Sequence, residues 1–161
     1  MDARFNMFEN EIAAAFVKRF VNASQAIERS SLPSATQELV KIRASQINGC
    51  GFCTDMHTKD AAAEGETPVR LNLVAVWREA TVFTEAERAA LALAEEGTRL
   101  ADTHHGVSDE TWAQVRKHFD DDQIGALVCL VAAINAFNRL NVIVRNPAGS
   151  YEPGMFANVA N

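Results

Sequence analysis

Apolar side chains recur at helical intervals from the start of this chain. Phe5, Phe8, Ile12, Phe16, Phe20 and Ile27 fall three, four or a multiple of a turn apart and outline one face of a long first helix. Ser30, Ser31 and Pro33 break it. Ser34 then reads as an N-cap with Gln37 three residues on, a capping box that opens a second helix from Ala35 to about Asn48, and Gly49 is placed to close it. A third helix follows from Gly51 to about Glu64, closed by Gly65. Thr67-Pro68 is a cap followed by proline at the first helical position. The segment after it, Val69 to Arg78, fits a helix, although Leu71, Leu73 and Val76 also suit a strand. Thr84 with Glu87 opens a helix to about Asp102, and Ser108 with Asp109 and Glu110 opens a short one to about His118. Asp120 and Asp121 place negative charge at the start of a last long helix that reaches about Val144. Pro147, Gly149 and Pro153 mark an irregular tail. The pattern predicts an all-α bundle of about six to seven helices in one domain, residues 1–161.

Composition narrows the possibilities without choosing among them. The 161 residues carry a net charge of −6, and no run of Lys or Arg forms the basic face a nucleic-acid binder needs. Asp2, Glu9 and Glu11 stand where a signal peptide would be cationic, so none is expected. The most apolar run, Ile124 to Val144, is interrupted by Arg139 and three asparagines, which argues against a membrane span. The expectation is a cytoplasmic protein with neither nucleic-acid nor membrane partners. Three cysteines are too few for a disulfide scaffold; in a reducing compartment a close pair is more often catalytic or metal-binding.

That close pair is Cys50-Gly51-Phe52-Cys53, with His57 four residues on and Glu38 twelve residues before. At about 100° per residue, Cys50, Cys53 and His57 lie within an arc of roughly 60° on one helix face. Cys50 stands at the helix N-terminus, where unpaired N–H groups favour a thiolate. If the second and third helices form a hairpin about Asn48-Gly49, Glu38 lies about 16 Å and His57 about 12 Å from the turn. The carboxylate thus comes level with the His57 end. The pattern reads as a proton relay in which Glu38 orients His57 and His57 serves Cys53. Ser45 and Asn48, near the turn, can add hydrogen bonds. The competing reading is a zinc site built from Cys50, Cys53, His57 and a fourth ligand among Glu38, His104, His105 and His118, but no second ligand pair stands at short spacing.

The arrangement Glu38, eleven residues, Cys50-x-x-Cys53-x-x-x-His57 resembles the signature of the alkylhydroperoxidase D-like (AhpD-like) branch of the carboxymuconolactone decarboxylase superfamily. The core of the match is residues 34–65, and the tail from Asn138-Arg139-Leu140 to Ser150-Tyr151 is similar to single-domain members. The resemblance implies an all-α fold assembled as a homotrimer or homohexamer. It implies reduction of a hydroperoxide through a Cys50–Cys53 dithiol/disulfide cycle, with Glu38 and His57 as the relay, no bound cofactor or metal, and an external dithiol or redox protein as reductant. Some members place a histidine between the cysteines; here that position is Phe52. Members that decarboxylate lactones lack the cysteine pair. Relay proximity favours Cys53 as the attacking thiol and Cys50 as its resolving partner, whereas the helix dipole favours Cys50. A general thiol–disulfide oxidoreductase with little peroxidase activity is the alternative, and a zinc-stabilised helical interaction module is a third.

The remaining candidates have plainer readings. Cys129, within Leu127-Val128-Cys129-Leu130-Val131, reads as a buried inert thiol. His104 and His105 read as surface residues ending a helix, and His118 likewise. Asn135, Asn138 and Asn141 form a stripe that fits either the solvated side of the last helix or a polar patch near the site. The phenylalanines of the first helix read as core or oligomer contact, and Trp77 and Trp112 as core or interface.

Overall fold

The computed structural model describes residues 2–156, and among these every regular element is helical. The α-helices are α1 (Glu11–Glu28), α2 (Ser34–Ile47), α3 (Gly51–Ala63), α4 (Pro68–Leu73), α5 (Glu85–Thr98), α6 (Asp109–His118) and α7 (Asp121–Val144). Single-turn 3-10 helices lie at Met7–Glu9, Val74–Val76 and Leu100–Asp102. Several ends follow the capping chemistry of the sequence. Thr84 and Glu87 form a reciprocal capping box, as do Asp120 and Gln123, so two otherwise orphaned backbone donors are satisfied at each start.

Other ends differ from expectation. The first apolar stripe is not one helix: Asn6 caps the 3-10 turn and Asn10 caps α1, each side chain accepting a backbone N–H. Phe5 and Phe8 therefore precede α1. Ser34 is the first helical residue rather than the cap, and Pro33 occupies the cap position. Gln37 turns its amide away from the expected box and donates to the carbonyls of Leu32 and Ile27. The helix after Thr67-Pro68 stops at Leu73, and α5 stops at Thr98; each continues only as a 3-10 turn. His104 and His105 therefore lie in an exposed loop beyond the Leu100–Asp102 turn, not at the end of a helix.

Helix α2 is the centre of the bundle, packing against α3, α5 and α7. On one side Val40 joins Leu93, Ala94, Val115, Leu127 and Leu130 of α5, α6 and α7. On the other, Leu39 and Ile42 meet Val74, Trp77, Phe83 and Leu91. Gly97 allows α5 and α7 to approach closely, since a Cβ there would sit 2.9 Å from Val131 Cγ1. Helix α7 is long and apolar enough to cross a membrane by length and composition. Here its inner face carries Leu127, Leu130 and Ile134 into the bundle.

Candidate active site

The turn between α2 and α3 fixes the first cysteine. Gly49 takes φ +65°, a left-handed conformation that glycine adopts without a Cβ penalty. Gly49 N–H then donates to Gln46 O and Cys50 N–H to Ser45 O, the paired bonds of a Schellman motif. The residue that closes α2 is also the N-cap of α3: Cys50 Sγ accepts from Cys53 N–H at 3.4 Å. One glycine turn thus sets the sulfur at the head of α3, the end of the helix that stabilises negative charge.

Both thiols are free and buried, with Cys50 2% and Cys53 0% exposed. Ala44, Ile134 and Phe52 wall them with apolar surface. The Cys53 thiol as donor, outweighing burial and helped by the Cys53 N–H and Asn138, draws Cys50 down to about 7. The Cys50 sulfur beside it, together with burial, pushes Cys53 up. The pair therefore gives up its first proton more readily than an isolated thiol, and Cys50 is its more acidic member. On acidity this favours Cys50 over Cys53, the opposite of the preference drawn from relay proximity.

Glu38 and His57 meet at the level that the hairpin geometry requires. Glu38 Oε2 lies 3.0 Å from His57 Nδ1, while its other oxygen accepts from Lys41 Nζ at 2.7 Å. Burial raises the Glu38 carboxyl, but its bonds and attraction to His57 and Lys41 prevail and hold it down at about 2. Next to it, burial raises the Asp60 carboxyl even though the Tyr151 hydroxyl donates to it at 2.8 Å. Tyr151 belongs to the tail, which is strapped along α3. Asp55 Oδ2 accepts from Gly149 and Tyr151 N–H, and Lys59 Nζ donates to Gly149 and Tyr151 O. A cavity of about 160 Å³ opens at the Glu38 end between Ser34, Ala35, Ala61 and Glu64.

Glu38, Cys50, Cys53 and His57 thus converge on one hairpin. His104 and His105 do not join them, and among the described residues no three His, Cys, Asp or Glu side chains are grouped to hold a metal ion. Cys129 departs from expectation: it is exposed, on the outer face of α7. The asparagine stripe also resolves, because Asn135, Asn138 and Asn141 are all buried and face the cysteine hairpin. Trp77 is buried and Trp112 is 40% exposed. Phe5, Phe8 and Phe16 are about half exposed rather than core, while Phe20 packs on the core and on Phe137. Lys41 and Asp60 were not singled out in the sequence. Lys41 had a detectable signal, standing three residues after Glu38 on one helix, a spacing at which side chains meet.

An all-helical bundle with a buried dithiol at a helix start and a carboxylate–histidine pair one hairpin arm away defines the AhpD-like class. The carboxymuconolactone decarboxylase family model matches residues 13–96, and the chain belongs to that family. The uncharacterized protein YdfG of Bacillus subtilis (strain 168) is 39% identical over 140 residues, covering 87% of this chain and 94% of YdfG. A crystal structure from Agrobacterium tumefaciens, of a protein of unknown function suggested to be the antioxidant defence protein AhpD, superposes with TM-score 0.85. It is 34% identical, covering 93% of this chain and all of that one. The debrominase Bmp8 superposes with TM-score 0.73 over 89% of this chain and 75% of its own, at 19% identity. It shares the fold.

Proposed function

We propose that this protein is a thiol-dependent peroxidase that reduces hydroperoxides through Cys50 and Cys53. The observation that carries the reading is the 3.0 Å Glu38–His57 contact on the hairpin that also holds the dithiol. A thiolate attacks the terminal peroxide oxygen, the O–O bond breaks, and the electron pair leaves with the alkoxide or hydroxide, which takes a proton. His57, oriented by Glu38, handles that proton. The sulfenic acid condenses with the second thiol, releasing water and forming the disulfide. An external dithiol returns two electrons and two protons by exchange. Its greater acidity favours Cys50 as the first sulfur to strike, with Cys53 as the resolving thiol. The likeness to the Agrobacterium protein supports an antioxidant role.

Burial favours this over exchange with protein disulfides. Sulfurs on residues 2% and 0% exposed suit a small peroxide better than a folded partner. The assembly implied by the family resemblance, a homotrimer or homohexamer, gives the exposed Phe5, Phe8 and Phe16 a partner surface.

The test is stopped-flow oxidation of the reduced protein by hydrogen peroxide and an organic hydroperoxide, with thiols counted before and after. Two thiols lost per chain, with Cys129→Ser behaving as the parent, supports the peroxidase. Inertness to both peroxides with rapid oxidation by a small disulfide would replace it with an oxidoreductase. Cys53→Ser is expected to trap sulfenic acid on Cys50, and Cys50→Ser to slow peroxide attack about a thousandfold. Attack on Cys53 at the parental rate in Cys50→Ser would reverse the order of the two sulfurs.

A further inference from the structure

The buried amides of α7 follow a fixed direction, and that direction ends on the cysteines. A side-chain amide can usually be turned over, exchanging its donor for its acceptor. Here backbone carbonyls, which only accept, forbid it. Asn141 Nδ2 donates to Phe137 O at 3.0 Å, so its N–H side also faces Cys53 Sγ at 3.4 Å, while its oxygen accepts from Asn146 Nδ2.

Asn138 is fixed from two directions. Asn135 Nδ2 donates to Val131 O and to Thr98 Oγ1, so Asn135 Oδ1 must face Asn48. Asn48 answers with its own Nδ2, which donates to Asn135 Oδ1 and to Asn138 Oδ1, both at 2.9 Å. Asn138 is left presenting Nδ2 on its far side. From the other direction, Ser45 Oγ gives its proton to Lys41 O at 2.7 Å, so it must accept from Asn138 Nδ2, which it does at 3.0 Å. Asn138, locked between Asn48 and Ser45, thus ties α7 to the α2 arm of the hairpin, and Asn141 one turn on makes the contact with sulfur. Asn138 and Ser45 are both 0% exposed.

We propose that Asn141 is a catalytic residue of the dithiol and Asn138 a positioning residue beside it, a rigid amide cradle on α7 whose Asn141 N–H group holds the negative charge the two sulfurs share. The assignment rests on the dithiol reading above. The helices that carry and cover the sulfurs also bear ionisable groups: Glu38, Lys41 and Arg43 on α2, Asp55, His57, Lys59 and Asp60 on α3, and Arg139 on α7, which is bonded to Asn135. Among the described residues the hydrogen-bond donors to sulfur are neutral, the Cys53 backbone N–H and the Asn141 amide. Thiolate is a far better acceptor than a disulfide sulfur, so the cradle favours the reduced, ionised pair and makes the disulfide more oxidising.

The test follows thiolate absorbance against pH in the reduced protein with Cys129→Ser as background. Asn141→Leu is expected to raise the thiolate midpoint by about one pH unit, a tenfold loss of thiolate at fixed pH. Its disulfide should become harder to reduce in equilibrium with dithiothreitol. Asn146→Ala, which frees only the oxygen of Asn141, should shift the midpoint in the same direction by less. Should Asn141→Leu fail to fold, the isosteric Asn141→Asp carries the test, and its midpoint should rise further because an anion replaces the donor. An unchanged midpoint in the folded variant overturns the proposal. These readouts need no peroxide. A shifted midpoint in a protein that consumes no peroxide keeps the cradle and removes the peroxidase, whereas intact turnover with an unshifted midpoint removes the cradle alone.

Discussion

Two carboxylates in this bundle are buried to the same extent, Glu38 and Glu95, each 8% exposed. Their partners differ in kind. Glu95 of α5 accepts from Arg43 of α2, Arg78 and the Trp77 indole. Two of these donors are permanently charged guanidiniums and the third never ionises in water. Glu38 shares its two oxygens between Lys41 and His57, and a histidine can take up or release a proton near neutral pH. Burial drives both carboxyls upward and their partners bring both back below the usual range. Only Glu38 is tied to a group able to pass a proton on. A buried carboxylate thus marks a clamp or a relay according to whether its partner can change charge.

Replacing each by its amide separates the two. Glu38→Gln keeps the shape and removes the anion that orients His57. It should slow peroxide-dependent thiol loss about a hundredfold, measured under single turnover. Glu95→Gln should leave the rate per folded molecule unchanged and cost about 3 kcal/mol in denaturant unfolding, because the half-buried Arg43 loses its counter-charge. A Glu95→Gln protein that is stable but inactive would erase the distinction.

Acid titration sharpens the comparison further. The Glu38 carboxyl is depressed from an ordinary 4.5 to about 2, so its stabilisation is complete above pH 4.5 and disappears as pH falls toward 2. Linkage over that interval amounts to about 3 kcal/mol at neutral pH. Glu38→Gln should flatten this acid limb in unfolding free energy measured against pH. An undiminished limb would mean that Glu38 ionises normally.

The Glu38–His57 contact was readable because it depends on little. A rise of 1.5 Å per residue and one glycine turn fix the height of Glu38 against His57 whatever else the bundle does. The caps at Thr84 and Ser108 were equally local. Helix α7 was harder, because its pattern left two orientations of the asparagine stripe open. Asn135, Asn138 and Asn141 point inward to Asn48 and the thiols, while Val128, Cys129, Val142 and Ile143 lie on the outside. Periodicity reports which residues share a face. It does not report which way that face turns when the interior holds its own polar groups. The Glu95 clamp was invisible for another reason: Arg43, Trp77 and Arg78 meet Glu95 only after α2 and α5 have packed, and no short spacing in the sequence joins them.

The clamp itself can be divided. The Arg43 side chain is 12% exposed and that of Arg78 58%. Arg78 also stacks on the Trp77 ring, 4.4 Å from its centroid. An exposed guanidinium is solvated in the unfolded chain nearly as well as in the folded one, and solvent screens its attraction to Glu95. Arg78→Ala should therefore cost no more than about 1 kcal/mol, most of it from the lost stacking. Arg43→Met should cost several times more, because it strands Glu95 beside the remaining partners in a buried place. Denaturant midpoints of the two variants, measured together with Glu95→Gln, check the ranking. Equal losses for Arg43→Met and Arg78→Ala would show that the clamp works as one charge network, and that the exposure of Arg78 does not weaken its part in it.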